Sequence, residues 1–207
     1  MKQLICVIGN KGGTGKTSIT HMLCHGMGLL GRPSIAILTD LCREPLARTG
    51  RHYTPLDGRT PEKLEKIIAK LETMPDWLGV VDGGSNRPEM DQHLYGLADL
   101  VLLPFRDSHE DMRTVRQDLE QFQEAYGIPS QWPTNSWQQM AAERTLDELM
   151  QPYRPRLLDP VYTVSASKLL LETDVPKKLP TMLNNVSRRL ARQVLDLQEL
   201  PYKLDTD

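Results

Sequence analysis

The chain has 207 residues, 39% of them apolar and 25% charged, and its 25 basic and 27 acidic side chains leave a formal net charge of −2. Such a balance excludes a disordered, collagen-like or disulfide-stapled chain and leaves any nucleic-acid contact to local clusters of charge. The longest apolar runs, at residues 4–9 and 100–104, are far shorter than the roughly 20 residues of a membrane span, and Cys6, Cys24 and Cys42, with no C-x-x-C, point to a reducing cytoplasm rather than a disulfide framework or an iron–sulfur cluster.

In chain order, Leu4-Ile5-Cys6-Val7-Ile8-Gly9 is continuously apolar and rich in β-branched residues, which predicts a strand buried on both faces. A glycine-rich turn over Asn10–Gly15 follows. A helix then runs from Lys16 to near Leu30, closed by Gly31 and the Arg32-Pro33 step. A second apolar run, Ser34–Thr39, ends at Asp40. Residues 43–60 mix arginine, proline and threonine without periodicity and predict a long surface loop. Pro61 opens a helix with Leu64, Ile67, Ile68 and Leu71 at helical spacing. Trp77–Val81, ending in Asp82-Gly83-Gly84, and Asp99–Pro104 are further buried strands. His109–Gln121 is an acidic amphipathic helix, and another strand fits between Phe122 and Trp132. Ser136–Met150 is helical with Ser136 as its cap, Leu157–Val164 is a last strand bent at Pro160, and Thr181–Leu197 is an amphipathic helix. The alternation predicts an α/β fold: a mostly parallel, twisted sheet with helices on both faces, forming a single domain over residues 1–207.

The strongest chemical signal is Lys11-Gly12-Gly13-Thr14-Gly15-Lys16-Thr17-Ser18, set between a buried strand and a helix. Glycines let backbone N–H groups turn inward and approach phosphate oxygens without a Cβ in the way. The helix N-terminus adds partial positive charge beneath them. In such a P-loop Lys16 would bridge the β- and γ-phosphates of ATP, and the Thr17 hydroxyl would bind Mg²⁺. Asp40 and Asp82 stand at the ends of two more predicted strands, where an open α/β sheet places its ligands. The weaker alternative is a helix cap or turn aspartate for Asp82 and a purely structural role for Asp40.

The loop departs from G-x-x-x-x-G-K-[ST] at its first position, which is Asn10, and adds Lys11. In this it resembles the deviant Walker A motif, K-G-G-x-G-K-[ST], of the ParA/MinD family of partition and positioning ATPases. The resemblance implies a P-loop NTPase fold and a homodimer that sandwiches nucleotide, with Lys11 reaching the partner's phosphates as an arginine finger does. It makes Asp82 the Walker B-type residue that supports Mg²⁺ and Gly83-Gly84-Ser85 a switch loop. Asp40 would position the attacking water, although Leu38, Leu41 and Cys42 depart from the family's D-x-D-P-Q and leave room for slow hydrolysis. Residues 98–111 resemble the family's A-D-x-V-[IL]-[IL]-P-x-x-P-S-x-x-D. Asn135, after Pro133-Thr134, is either a base-reading asparagine or a turn residue. The likeness is firm over residues 3–40 and 77–111.

His21, Cys24 and His25 share helical spacing that could bind zinc, but packing against the sheet is the better reading. Lys177, Lys178, Arg188, Arg189 and Arg192 lie in an acid-free stretch, the arginines expected opposite the apolar stripe of Leu183, Val186, Leu190, Val194 and Leu197. They form either an ordinary solvated face or a phosphate-contacting one. The resemblance favours nonspecific DNA, a cytoplasmic, nucleoid-associated location, and a ParB-like or other small adaptor that stimulates hydrolysis. The start at Met1-Lys2-Gln3, with no helix-turn-helix before it, resembles the short plasmid partition ATPases. The acidic end Leu204-Asp205-Thr206-Asp207 argues against a membrane anchor. The expected function is partition or positioning of a plasmid, a chromosome or a large protein complex. The alternative is a nucleotide-dependent accessory protein of conjugation or polysaccharide secretion with little turnover. A ligase on the same fold is a third reading, against which Lys11 speaks.

Overall fold

The computed structural model describes residues 3–40, 46–84 and 86–203. Cys42, Ser85 and the acidic end at Leu204–Asp207, which enter the expectations above, lie outside the described residues.

Six strands, β1 (Leu4–Val7), β2 (Ser34–Leu38), β3 (Thr54–Asp57), β4 (Leu78–Asp82), β5 (Leu100–Phe105) and β6 (Tyr126–Pro129), form one sheet in the order β3-β2-β4-β1-β5-β6. Every pairing is parallel. Period-2 alternation sends Ile5, Val7, Val80, Leu100 and Leu102 to one face, against α1 (Lys16–Leu29) and α6 (Thr181–Leu197). Leu4, Cys6, Ile8, Val81, Val101 and Leu103 go to the other. There they meet α2 (Pro61–Glu72), α3 (Pro88–Leu97), α4 (His109–Gln121) and α5 (Ser136–Met150). A sheet covered on both sides explains why its strands read as unbroken apolar runs.

Helix α1 lies between the sheet and α6, and most of its residues are buried. Two glycines permit this. A Cβ on Gly26 would stand 2.0 Å from the Ser187 carbonyl oxygen, and one on Gly28 would stand 2.1 Å from that of His52. Caps fix the other helix starts: Thr60 accepts from the Lys63 N–H, and Ser108 from the Asp111 N–H.

Two expectations about the elements need correction, and one helix was not expected. The loop over 43–60 contains β3, parallel to β2 at the sheet edge, where Pro55 costs no central ladder donor. Leu157–Val164 is not a strand. It follows β6 through single bridges at Leu157 and Tyr162, and Pro160, without an N–H, interrupts any ladder. α3 was not anticipated, although Pro88 occupies its first turn. Short 3-10 helices at Gln151–Arg156 and Ser165–Leu171 join α5 to α6. Among the described residues no helix is long and apolar enough to cross a membrane.

Candidate nucleotide-binding site

The register sets the site. Val7 lies level with Asp82 and Leu102, and Leu38 lies level with Asp82, so β1, β2 and β4 end side by side. The loops that follow them therefore converge at one sheet edge. Lys16, Thr17, Asp40 and Asp82 line a single cavity of about 220 Å³, together with Gly13 and Gly15. Gly13 and Gly15 take φ of +77° and +95°, which an L side chain adopts only with strain. A Cβ on Gly15 would also come within 3.1 Å of Gln131 Nε2 and 3.3 Å of Ser130 Oγ. Gly83 N–H donates to the Val7 carbonyl at 2.9 Å, and Thr39 Oγ1 donates to the Asp82 carbonyl at 2.6 Å. These bonds tie the end of β4 to both neighbours. The donor set fits a Mg²⁺-nucleotide: a glycine cradle, a buried lysine, and hard oxygens from Thr17 and Asp82.

Lys16 is 5% exposed and donates from Nζ to the carbonyls of Gly9 at 2.9 Å and Lys11 at 2.7 Å. Burial lowers its pKa, while Asp91, Asp82, Asp118 and Asp40 oppose that shift. Lys11 is held from outside the loop. Its Nζ stands 2.7 Å from Asp111 Oδ1 and 3.1 Å from Glu110 Oε1, both in the first turn of α4. Burial pushes the Asp111 carboxyl up, but bonds from Lys11, Arg106 and Ser108 outweigh it and bring the group down to about 2.

Sequence reasoning missed several residues that shape this site. Asp91 on α3 accepts from the Gly9 N–H at 3.3 Å. Asp118 on α4 accepts from Asn10 Nδ2 at 2.7 Å, so Asn10, standing where a glycine is usual, anchors the loop to that helix. Burial raises the pKa of both carboxyls, that of Asp91 to about 6. Arg87 donates to the Thr39 carbonyl at 2.9 Å, linking the start of α3 to the residue beside Asp40. Ser130 Oγ donates to the carbonyl of Thr14 from the end of β6. The available signal was an acid on the apolar face of a predicted helix: Asp111 and Asp118 fall in register with buried Met112, Val115 and Leu119.

No family model matches the sequence, and no curated protein does. Solved structures do match. Apo McdA of Cyanothece aligns with a TM-score of 0.68 at 15% identity, over 95% of this chain and 99% of that one. MinD of Pyrococcus horikoshii, the septum site-determining protein complexed with Mg-ADP, gives 0.68 at 18% identity over 96% and 98%. The chain has the fold of the ParA/MinD-type P-loop ATPases. Cobyrinic acid a,c-diamide synthase of Mycobacterium smegmatis, with bound ADP and magnesium, gives 0.70 at 15% identity over 100% of both chains. The ParA/MinD-type fold therefore does not by itself choose a reaction.

Within this ParA/MinD-type frame the remaining expected residues disperse. Asn135 caps α5, accepting from the Trp137 and Gln138 N–H groups at 3.0 and 3.5 Å, and takes the place expected for Ser136. It does not line the second cavity, about 310 Å³, which adjoins the first through Gly15 and Ser18 and is bounded by Ser130, Gln131 and residues 161–168. His21, Cys24 and His25 are packed: His21 Nδ1 lies 2.6 Å from Tyr53 Oη, and His25 Nε2 lies 2.8 Å from Asn184 Oδ1. The basic residues do not share one face. Arg189 is exposed and paired with Asp159 at 2.8 Å. Arg188 and Arg192 are half-buried at the flank of the packed stripe, because Ser187 and Ala191 pull that side of α6 onto α1. Lys177 and Lys178 stand before α6, at a separate cavity.

Proposed function

We propose that the chain is an ATPase of the ParA/MinD type, which hydrolyses ATP to ADP and phosphate slowly and uses the nucleotide state to switch a homodimer on and off. The observation that carries this reading is the meeting of Lys16, Thr17, Asp40 and Asp82 in one cavity, with Lys11 on the loop's outer side. Lys16 and the loop amides would hold the phosphates, and Thr17 and Asp82 the Mg²⁺. Asp40 would orient the attacking water. The bound metal would neutralise charge that develops on the phosphoryl oxygens. Arg87 would keep the Asp40 strand end in step with the start of α3 through the Thr39 carbonyl.

Lys11 sits on the outer side of the loop, where a second copy could approach, and in the proposed dimer it would leave Asp111 for the partner's phosphates. Nonspecific DNA would bind through the arginines of α6, and a ParB-like or other small adaptor would stimulate hydrolysis. The work done would be partition or positioning of a plasmid, a chromosome or a protein assembly in the cytoplasm, on the nucleoid. The sequence at Asp40, which lacks a following Pro-Gln pair, favours one second reading: an accessory protein that binds nucleotide and turns it over little.

Steady-state ATPase measurement with and without duplex DNA separates the two. Slow turnover that rises with DNA supports the switch ATPase; ATP binding without turnover supports the accessory protein. Lys16→Ala should weaken nucleotide affinity by about a hundredfold or more, since a buried charge-assisted contact is lost. Unchanged affinity in that variant would overturn the phosphate-loop assignment.

A further inference from the structure

A third cavity, of about 250 Å³, opens beside α1 and shares no lining residue with the other two. His25, His52, Lys177, Lys178 and Asn184 line it. His25 is its floor at 1% exposure, while His52 and the two lysines are exposed at its rim. The His25 Nε2–H donates to Asn184 Oδ1 at 2.8 Å, so the amide NH₂ of Asn184 is the end left for a ligand. The His52 ring meets the His25 ring edge-on, with centroids 5.3 Å apart.

The charge pattern is one-sided. Burial first, then His52 and Arg188, disfavour a proton on His25, and only the Asn184 bond opposes them. Among the described residues no carboxylate lines the cavity. Neither Lys177 nor Lys178 forms an ion pair among the described residues. Glu172 and Asp174 precede the lysines in sequence but are not part of the wall. Gathering groups of one sign around a concavity costs stability through mutual repulsion, and it focuses a positive potential into that space. The arrangement is what an anion would need.

The shape narrows the choice of anion. The backbone of a duplex is a convex rod carrying one charge per phosphate, and it would touch the rim lysines but not a recessed imidazole. A phosphoryl dianion is compact, carries two charges to match the two lysines, and offers oxygens to the Asn184 amide N–H groups and to the His52 ring beside the recessed His25. We propose that this cavity binds a phosphoryl dianion, as inorganic phosphate or as a small phosphate monoester. The ligand would sit on α1, whose first residue is Lys16, roughly 14 Å along the helix from the phosphate loop at 1.5 Å per residue. The assignment does not depend on the ATPase reading.

Imidazole C–H resonances of the full chain, assigned to His25 and His52, provide a direct test during titration with ribose 5-phosphate and, in parallel, with inorganic phosphate. Both resonances should move saturably. Tighter binding of the ester indicates a monoester site, and equal affinity indicates a site for the free ion. Lys177→Ala/Lys178→Ala, at exposed positions, should weaken binding about tenfold or more. Lys16→Ala should leave the titration unchanged. Resonances that stay still, or shifts that vanish in Lys16→Ala and persist in the double variant, overturn the proposal. So does a response to a short DNA duplex without one to either phosphate, which would return the lysines to a nucleic-acid surface.

Discussion

Lys16 donates to two loop carbonyls while Asp91, Asp82, Asp118 and Asp40 favour its charge. Asp91 is 1% exposed. Burial pushes its carboxyl up to about 6, against the Gly9 N–H and Lys16, which pull it down. A raised carboxyl means that the folded chain binds more protons than the unfolded one between the two pKa values. Stability therefore falls as pH rises from about 4 to about 6, and the penalty is fully present above that window. Asp91→Asn keeps an acceptor for Gly9 and removes the titration. It should flatten that slope and raise the unfolding free energy by about 2–3 kcal/mol near neutral pH. Urea melts at about pH 5 and about pH 7.5 check this; an unaltered slope would place the titrating group elsewhere. Lys16, Thr17 and Asp82 could be read from the sequence because a strand, a glycine turn and a helix fix them locally. Asp91 and Asp118 could not, since only the packing of α3 and α4 against the loop brings their carboxyls to Gly9 and Asn10.

Helix α1 shows what periodicity can and cannot reveal. Its boundaries followed from the P-loop and Gly31, but its low amphipathicity hid the fact that it is covered on nearly all sides. Gly26 and Gly28 are the residues that allow this. Gly26→Ala gains about 1 kcal/mol of helix propensity. It also drives a Cβ to 2.0 Å from a backbone oxygen of α6, where no flexible side chain can yield. The net should be a loss of about 2–3 kcal/mol. Gly96, near the end of α3, has nothing within 4 Å of the same atom, so Gly96→Ala should gain up to about 1 kcal/mol. Thermal unfolding of the pair checks both signs, and a stable Gly26→Ala would contradict the close contact of α1 with α6. β3 was hidden for a different reason: a short edge strand containing Pro55 gives neither an apolar run nor alternation. The 157–164 segment misled in the opposite sense, because its apolar residues pack beside β6 without building a ladder.

At the scale of the whole molecule, Lys11 and the α6 arginines make separable claims. Lys11 gives up two carboxylate contacts if it is to serve another subunit, so its role in a dimer is a competition between Asp111 and a partner's phosphates. Lys11→Ala should retain ADP affinity and lose ATP-dependent dimerisation, read as mass by light scattering. A dimer that still forms with ATP would leave Lys11 with only its contact to α4. For DNA, the structure divides the basic residues. If Arg188, Arg189 and Arg192 meet phosphates, log K should fall against log salt with a slope of about −2.7 per subunit. If Lys177 and Lys178 join them, the slope should steepen to about −4.5. The first value agrees with a cavity reserved for a small phosphate and the second contradicts it. Arg189→Ala isolates one contact. It frees Asp159, so an acid replaces a paired ion at that spot and repels the duplex as well. The slope should fall by about 0.9 or more. A slope near zero in the parent chain would remove DNA from the proposed cycle while leaving the nucleotide site untouched.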